Sequence, residues 1–134
     1  MIVDARLPEI NNPKLLDAMK KLGCKFVDVV DIKLRPNTII NECHTNVARQ
    51  VAMYGGEQIK GYYVAVSKST SDWVAIKHSV WKQDETLIDI TPVDDNRTCN
   101  VFIYGVTKLH TSVYNHNGIL KIDDTVKYKK GVSL

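Results

Sequence analysis

Residues 41–56 read NECHTNVARQVAMYGG and residues 61–82 read GYYVAVSKSTSDWVAIKHSVWK, and the hydrophobic period changes between the two. In the first stretch Val47, Val51 and Tyr54 recur at i, i+4 and i+7, Asn41 can cap the helix so defined, and Gly55-Gly56 supplies a left-handed stop. In the second the period is two. Tyr62, Val64 and Val66 share one side of a strand, and Val74, Ile76, His78 and Val80 share one side of another, with a polar turn at Lys68 to Asp72 between them. Cys43 therefore falls in the first turn of a helix and His78 in the middle of a strand.

Upstream, Asn12-Pro13 opens an earlier helix, Leu15, Leu16, Met19 and Leu22 line one face of it, and Gly23 ends it. Phe26 to Leu34 reads as an irregular strand, broken by Asp28 and Asp31 and running into a turn at Arg35-Pro36-Asn37. Downstream, Leu87 to Thr91 is a third strand closed by Pro92, and Asp94-Asp95-Asn96 is a loop. Asn100 to Val106 is a fourth strand, and Asn115 to Gly118 turns a further hairpin flanked by Tyr114 and Ile119. Helix, helix, then a run of strands predicts a single α+β domain over residues 1–134, with the Cys-bearing helix packed on an antiparallel β-sheet.

The composition fits a self-sufficient core. At 134 residues, with 44% hydrophobic and 25% charged positions, the chain is neither disordered, collagen-like nor a coiled coil, and needs no disulfide or structural metal to fold. Apolar runs are only a few residues long, and Asp4 and Arg6 sit where a signal peptide would need an apolar stretch, so neither a membrane span nor secretion is expected. The net charge of +3 comes largely from Lys121, Lys127, Lys129 and Lys130, which argues against a nucleic-acid partner. Cys24, Cys43 and Cys99 are odd in number and lack CxxC spacing, as expected for free thiols in the reducing cytoplasm.

Three residues are suited to chemistry. A thiol becomes a good nucleophile as thiolate, and the partial positive charge of a helix N-terminus favours that form at Cys43. An imidazole to pair with it is available in His78. The carboxylate follows from strand parity, since the strands around Asp84-Glu85 should form a hairpin. If a four-residue loop Gln83 to Thr86 joins them, Lys82 faces Leu87 and Asp89 is the diagonal neighbour of His78; if the loop is only Gln83-Asp84, Asp89 faces His78 directly. Both registers place Asp89 where it can hold one ring nitrogen and leave the other for the thiol. Taken one at a time, the same residues are also ordinary: a small buried Cys, a satisfied core His and a turn-forming Asp.

The stretches Asn41-Glu42-Cys43-His44-Thr45-Asn46-Val47, Gly55-Gly56-Glu57, Gly61-Tyr62, His78-Ser79-Val80-Trp81 and Leu87-Ile88-Asp89-Ile90-Thr91-Pro92 together resemble a group of small uncharacterised bacterial and phage proteins. Their layout is similar to that of the papain and transglutaminase-like cysteine hydrolase superfamily. The resemblance covers roughly residues 37 to 92. It implies a papain-like fold in which a thiol opens a helix and His and Asp follow on adjacent strands, roles that carry over to Cys43, His78 and Asp89. The superfamily often supplies its oxyanion donor from a Gln shortly before the thiol. No Gln stands there in this chain, and the available amides are Asn41 and Asn37, joined by the Cys43 backbone N–H. His44 and Asn46 would support the thiol or lie on the exposed side of the helix.

Two rivals share these residues. A zinc site could draw on Cys43, His44 and His78 or Asp89, but adjacent helical side chains diverge by about 100° and share one ion poorly, so no metal and no cofactor is expected. His110 and His116 have no ligand-spaced partner and read as hairpin surface residues. A non-catalytic module of the same fold, binding a protein or nucleic acid, could use Trp73, Trp81, Tyr62 and Tyr63 as a groove, although parity places Trp81 opposite His78, where it would pack the sheet on a helix. The leading expectation is a cysteine hydrolase acting on an amide of a protein or small molecule. The sequence sets neither substrate nor oligomeric state.

Overall fold

Residues 57–67 form an uninterrupted strand whose two edges are both paired, and this closes the architecture. The computed structural model describes residues 5–67, 72–93, 97–106, 113–116 and 119–122. In chain order the elements are β1 (Ala5–Arg6), α1 (Pro13–Leu22), β2 (Phe26–Ile32), α2 (Cys43–Tyr54), β3 (Glu57–Ser67), β4 (Trp73–Gln83), β5 (Thr86–Asp89), β6 (Cys99–Tyr104), β7 (Val113–His116) and β8 (Ile119–Ile122). One edge of β3 pairs with β4 from Glu57 to Val66, and its other edge pairs with β6 from Gly61 to Val64. The order continues β6, β2, β5, β4, so the sheet returns to β3 as a closed five-stranded barrel, with β1 added on β3 and β7-β8 on β4.

The expected open antiparallel sheet with a papain-like helix laid on it is therefore incorrect. The physical reason lies in β2. Phe26–Ile32 pairs antiparallel with β6 along most of its length and parallel with β5 at Asp31–Ile88 and Ile32–Asp89, which joins two ends that hairpins alone would leave apart. The β4–β5 hairpin has the register in which Lys82 faces Leu87. Its strands run on to a two-residue turn at Asp84-Glu85 with φ of 51° and 66°, the left-handed pair of a type I′ turn, in place of either expected loop.

Alternation divides the strands between an inner and an outer face. Val30, Val80 and Phe102 form the inner cluster, with Ile59, Leu87 and Tyr104 packed against it. On the outer face α1 lays Leu15, Met19 and Leu22 against Tyr62, Val64, Val66, Ala75, Val101 and Ile103. This helix follows its sequence signals: Asn12 Oδ1 accepts from the Lys14 N–H at 2.9 Å, Pro13 opens it, and Gly23 ends it at φ 74°. Leu16, expected on the buried face, is 54% exposed. α2 also lies outside, where Val47 meets Trp81 and Ile90 and the Trp81 Nε1 donates to the Gly55 carbonyl at 2.9 Å. No helix among the described residues is long and apolar enough to cross a membrane. The turn at 68–71, the loop at 94–96, His110, the hairpin tip at 117–118 and Lys127 to Lys130 lie outside the described residues.

At Gly61 neighbouring strands and the Phe102 ring leave no room for a side chain. A Cβ there would stand 2.2 Å from the Ile103 carbonyl oxygen and 2.9 Å from Cζ of Phe102, whose ring fills the space a side chain would take. Gly23, left-handed at φ 74° and ψ 19°, would bring a Cβ no closer than 4.0 Å to Cγ2 of Val106. Gly61→Ala is expected to cost about 3 kcal/mol by overpacking, against about 1 kcal/mol for the backbone penalty of Gly23→Ala. Denaturant midpoints of the two variants check this, and equal losses would contradict the close approach.

Candidate active site

Cys43 occupies the first position of α2 and is 5% exposed. The preceding loop is held to the helix by Asn46, whose side chain accepts from the Ile39 N–H at 2.9 Å and donates to the Ile39 carbonyl at 2.8 Å. The same amide nitrogen reaches Thr91 Oγ1 at 3.2 Å, which ties loop, helix and the segment after β5 together. Arg49 adds a bond to the Asn37 carbonyl at 2.8 Å. The cap expected at Asn41 falls instead on Glu42, which makes no side-chain capping bond, so the first N–H groups of α2 have neither an intrahelical nor a cap acceptor.

His78 projects from the inner face of β4, the face of Ile76 and Val80. Its ring meets Tyr63 edge-on at 5.2 Å and Phe102 at 6.3 Å between centroids. Nε2 lies 2.6 Å from Oδ2 of Asp89, which is fully buried on β5. The β4–β5 ladder ends at Trp81–Ile88, one residue before Asp89, so the carboxylate reaches His78 diagonally across the seam. With Nε2 committed to Asp89, the nitrogen left to the Cys43 thiol, which interacts with this ring, is Nδ1. Nδ1 is buried and makes no hydrogen bond of regular geometry.

Burial alone would push all three groups toward their uncharged forms, and their mutual contacts reverse this. Desolvation opposes the thiolate of Cys43, yet hydrogen bonding and charge from His44 and His78 bring its pKa down to about 6. Desolvation likewise opposes the imidazolium of His78, and the Asp89 carboxylate, with Cys43, raises it to about 10. Asp89 is lowered, against its own burial, by His78, the Thr91 N–H and Asn100. Cys24, buried with no such partners, is pushed up to about 11.

The structure thus brings Cys43, His78 and Asp89 together. It does not bring Asn41 and Asn37 to them: both are exposed, in left-handed backbone at φ 63° and 65°, and among the described residues neither amide is hydrogen-bonded to the three. His44 is half-buried and bonded through Nδ1 to Ser79 Oγ at 2.5 Å. Sequence reasoning missed Asn100, whose Nδ2 donates to Asp89 Oδ2 at 2.6 Å, and Arg97, whose Nη1 donates to Asn100 Oδ1 at 2.8 Å. The available signal was a polar residue on the strand face otherwise carrying Phe102 and Tyr104. Among the described residues no cluster of three or more His, Cys, Asp or Glu side chains could hold a metal ion. Comparison with known proteins finds no matching family model, curated protein or solved structure.

A thiolate present above about pH 6 beside an imidazolium that persists to about pH 10 defines the window in which the ion pair exists. Alkylation of Cys43 by iodoacetamide is expected to be half-maximal near pH 6 and then to plateau, while Cys24 stays unlabelled. Peptide mass spectrometry reads both. Asp89→Asn removes the charge that holds His78 protonated and is expected to move the Cys43 midpoint up toward the ordinary thiol value of about 8.5. Asn100→Ala should move it the same way by less. A wild-type midpoint already near 8.5 would refute the ion pair.

Proposed function

We propose that the chain is a cysteine-dependent hydrolase of amidase, peptidase or deamidase type, acting on a protein or a small amide in the reducing cytoplasm. The observation that carries this reading is the buried array of thiol, imidazole and carboxylate at a helix N-terminus, with the His78–Asp89 contact at 2.6 Å. Thiols elsewhere in a core gain nothing from a protonated partner; Cys43 has one whose charge is itself held by a carboxylate.

The chemistry follows from those contacts. The Cys43 thiolate attacks the carbonyl carbon, the C–S bond forms, and the carbonyl π electrons move to oxygen. Backbone N–H groups at the start of α2, which have no intrahelical acceptor, receive that charge. The oxyanion collapses, the C–N bond breaks, and His78 delivers its Nδ1 proton to the departing nitrogen, leaving a thioester. His78 then takes a proton from water, whose oxygen attacks the thioester, and the carboxylic acid departs as the thiolate is restored. Asp89 stays ionised throughout, orienting His78 through Nε2 and stabilising its charged form.

Cys43→Ala tests the nucleophile separately from the fold. The thiol contributes little packing, so the melting temperature is expected to stay within a few degrees. Hydrolysis of p-nitrophenyl acetate, used as an acyl probe, should fall to the uncatalysed rate, and the acetylated Cys43 peptide should vanish from the mass spectrum. Undiminished turnover in the variant would remove Cys43 from the mechanism, and a wild-type thiol that never acylates would leave a binding module.

A further inference from the structure

The thiol has a second imidazole beside it. His44 interacts with the Cys43 side chain as His78 does, but its surroundings are of a different kind. His78 gives its outer nitrogen to a carboxylate, whereas His44 gives Nδ1 to a hydroxyl, Ser79 Oγ, at 2.5 Å. Ser79 is fully buried on the outer face of β4, and Gln58 on β3 lies next to it.

These contacts fix the proton positions. Gln58 Nε2 stands 3.3 Å from the His44 carbonyl oxygen and 3.1 Å from Ser79 Oγ. A carbonyl oxygen only accepts, so the amide atom facing it must be the nitrogen, and the Gln58 orientation is set. Ser79 Oγ therefore accepts from Gln58. Among the described residues His44 is its only other side-chain partner, and a buried hydroxyl proton left unpaired is costly. The hydroxyl proton thus points to His44 Nδ1. In the neutral ring Nδ1 therefore accepts and the proton resides on Nε2, and in the charged ring Nε2 is protonated as well, so Nε2–H is a donor in both forms.

Resting on the hydrolase reading above, we propose that His44 is a second catalytic imidazole, whose Nε2–H, oriented by the Gln58–Ser79–His44 chain, donates to the oxyanion formed when Cys43 attacks a carbonyl. The role needs a donor beside the thiol that is distinct from the base. His44 adjoins Cys43 in the first turn of α2, and the helix-start N–H groups supply the companion donors. Asn41 and Asn37, the amides first considered for this task, are exposed and bonded to none of the three triad residues.

Two probes of the same thiol separate this role from thiol activation. Iodoacetamide alkylates by displacement at carbon and forms no oxyanion, whereas p-nitrophenyl acetate acylates through one. His44→Ala also withdraws a hydrogen bond and a charge that lower the Cys43 pKa, so alkylation at pH 8 measures the thiolate that remains. Acylation is expected to fall about 100-fold further than alkylation, as loss of an oxyanion donor does. His44→Gln, which restores an N–H donor, should recover part of the acylation, and carries the test if the alanine variant does not fold. Ser79→Ala should slow acylation while sparing alkylation. Parallel losses with both probes, or no loss with either, would overturn the oxyanion role and leave the triad intact. A wild-type Cys43 unreactive toward iodoacetamide at pH 6 would instead sink the hydrolase reading itself.

Discussion

A carboxylate fully removed from water inside a β-barrel must have its charge answered where it stands, or it would take up a proton. Asp89 is answered from three sides. His78 and Asn100 each approach Oδ2 at 2.6 Å, and the Thr91 N–H reaches Oδ1 at 3.1 Å. Only one of these partners can carry a charge, so the carboxylate and the imidazolium depend on one another. The imidazolium in turn is what makes a thiolate tolerable at Cys43, a residue that is 5% exposed. Breaking the His78–Asp89 contact would leave an uncompensated buried charge and an ordinary thiol, which is why the site stands or falls on that one pair.

Barrel closure holds that pair in place. Asp89 is fixed from the far side of β5 by β2, through the parallel register Ile32–Asp89 and the Lys33 N–H bonded to the Asp89 carbonyl at 2.8 Å. From the other direction Asn100, on β6, is register partner to Val30 of the same β2. An open sheet with β2 absent would leave Asp89 on an edge strand, free to turn toward water. The absence of a side chain at Gly61, opposite His78 on β3, lets Phe102 close the interior beside the imidazole. Low dielectric and fixed geometry at the site therefore have one cause.

The sequence carried the local part of this and not the closure. Period-two patterning located β3 and β4, and parity put Asp89 on the face of His78 whichever turn joined the strands. Asn12-Pro13 and Gly23 bounded α1 correctly because caps act within a few residues of themselves. Closure depends on β2, a strand whose Asp28 and Asp31 break the alternation and whose parallel pairing with β5 spans more than fifty residues of chain. No local pattern encodes such a pairing. Asn41 was misread as a cap for a similar reason: its backbone is left-handed, and the loop is governed by Asn46, a helical residue that reaches back seven positions to Ile39.

The site also explains how one thiol can sit between two imidazoles without redundancy. A carboxylate accepts and never donates when ionised, so it fixes the proton of His78 on Nε2 and favours the charged ring, with Nδ1 facing sulfur. A buried serine hydroxyl that accepts from Gln58 and has, among the described residues, no side-chain acceptor but His44 Nδ1 directs its proton there, so the neutral ring of His44 keeps its own proton on the opposite nitrogen. Identical side chains are thereby given complementary tasks by their partners, one to exchange a proton and one to hold a hydrogen bond toward developing charge. Sequence alone shows two histidines, at 44 and 78. Only the register that sets Gln58 and Ser79 on adjoining strands distinguishes them.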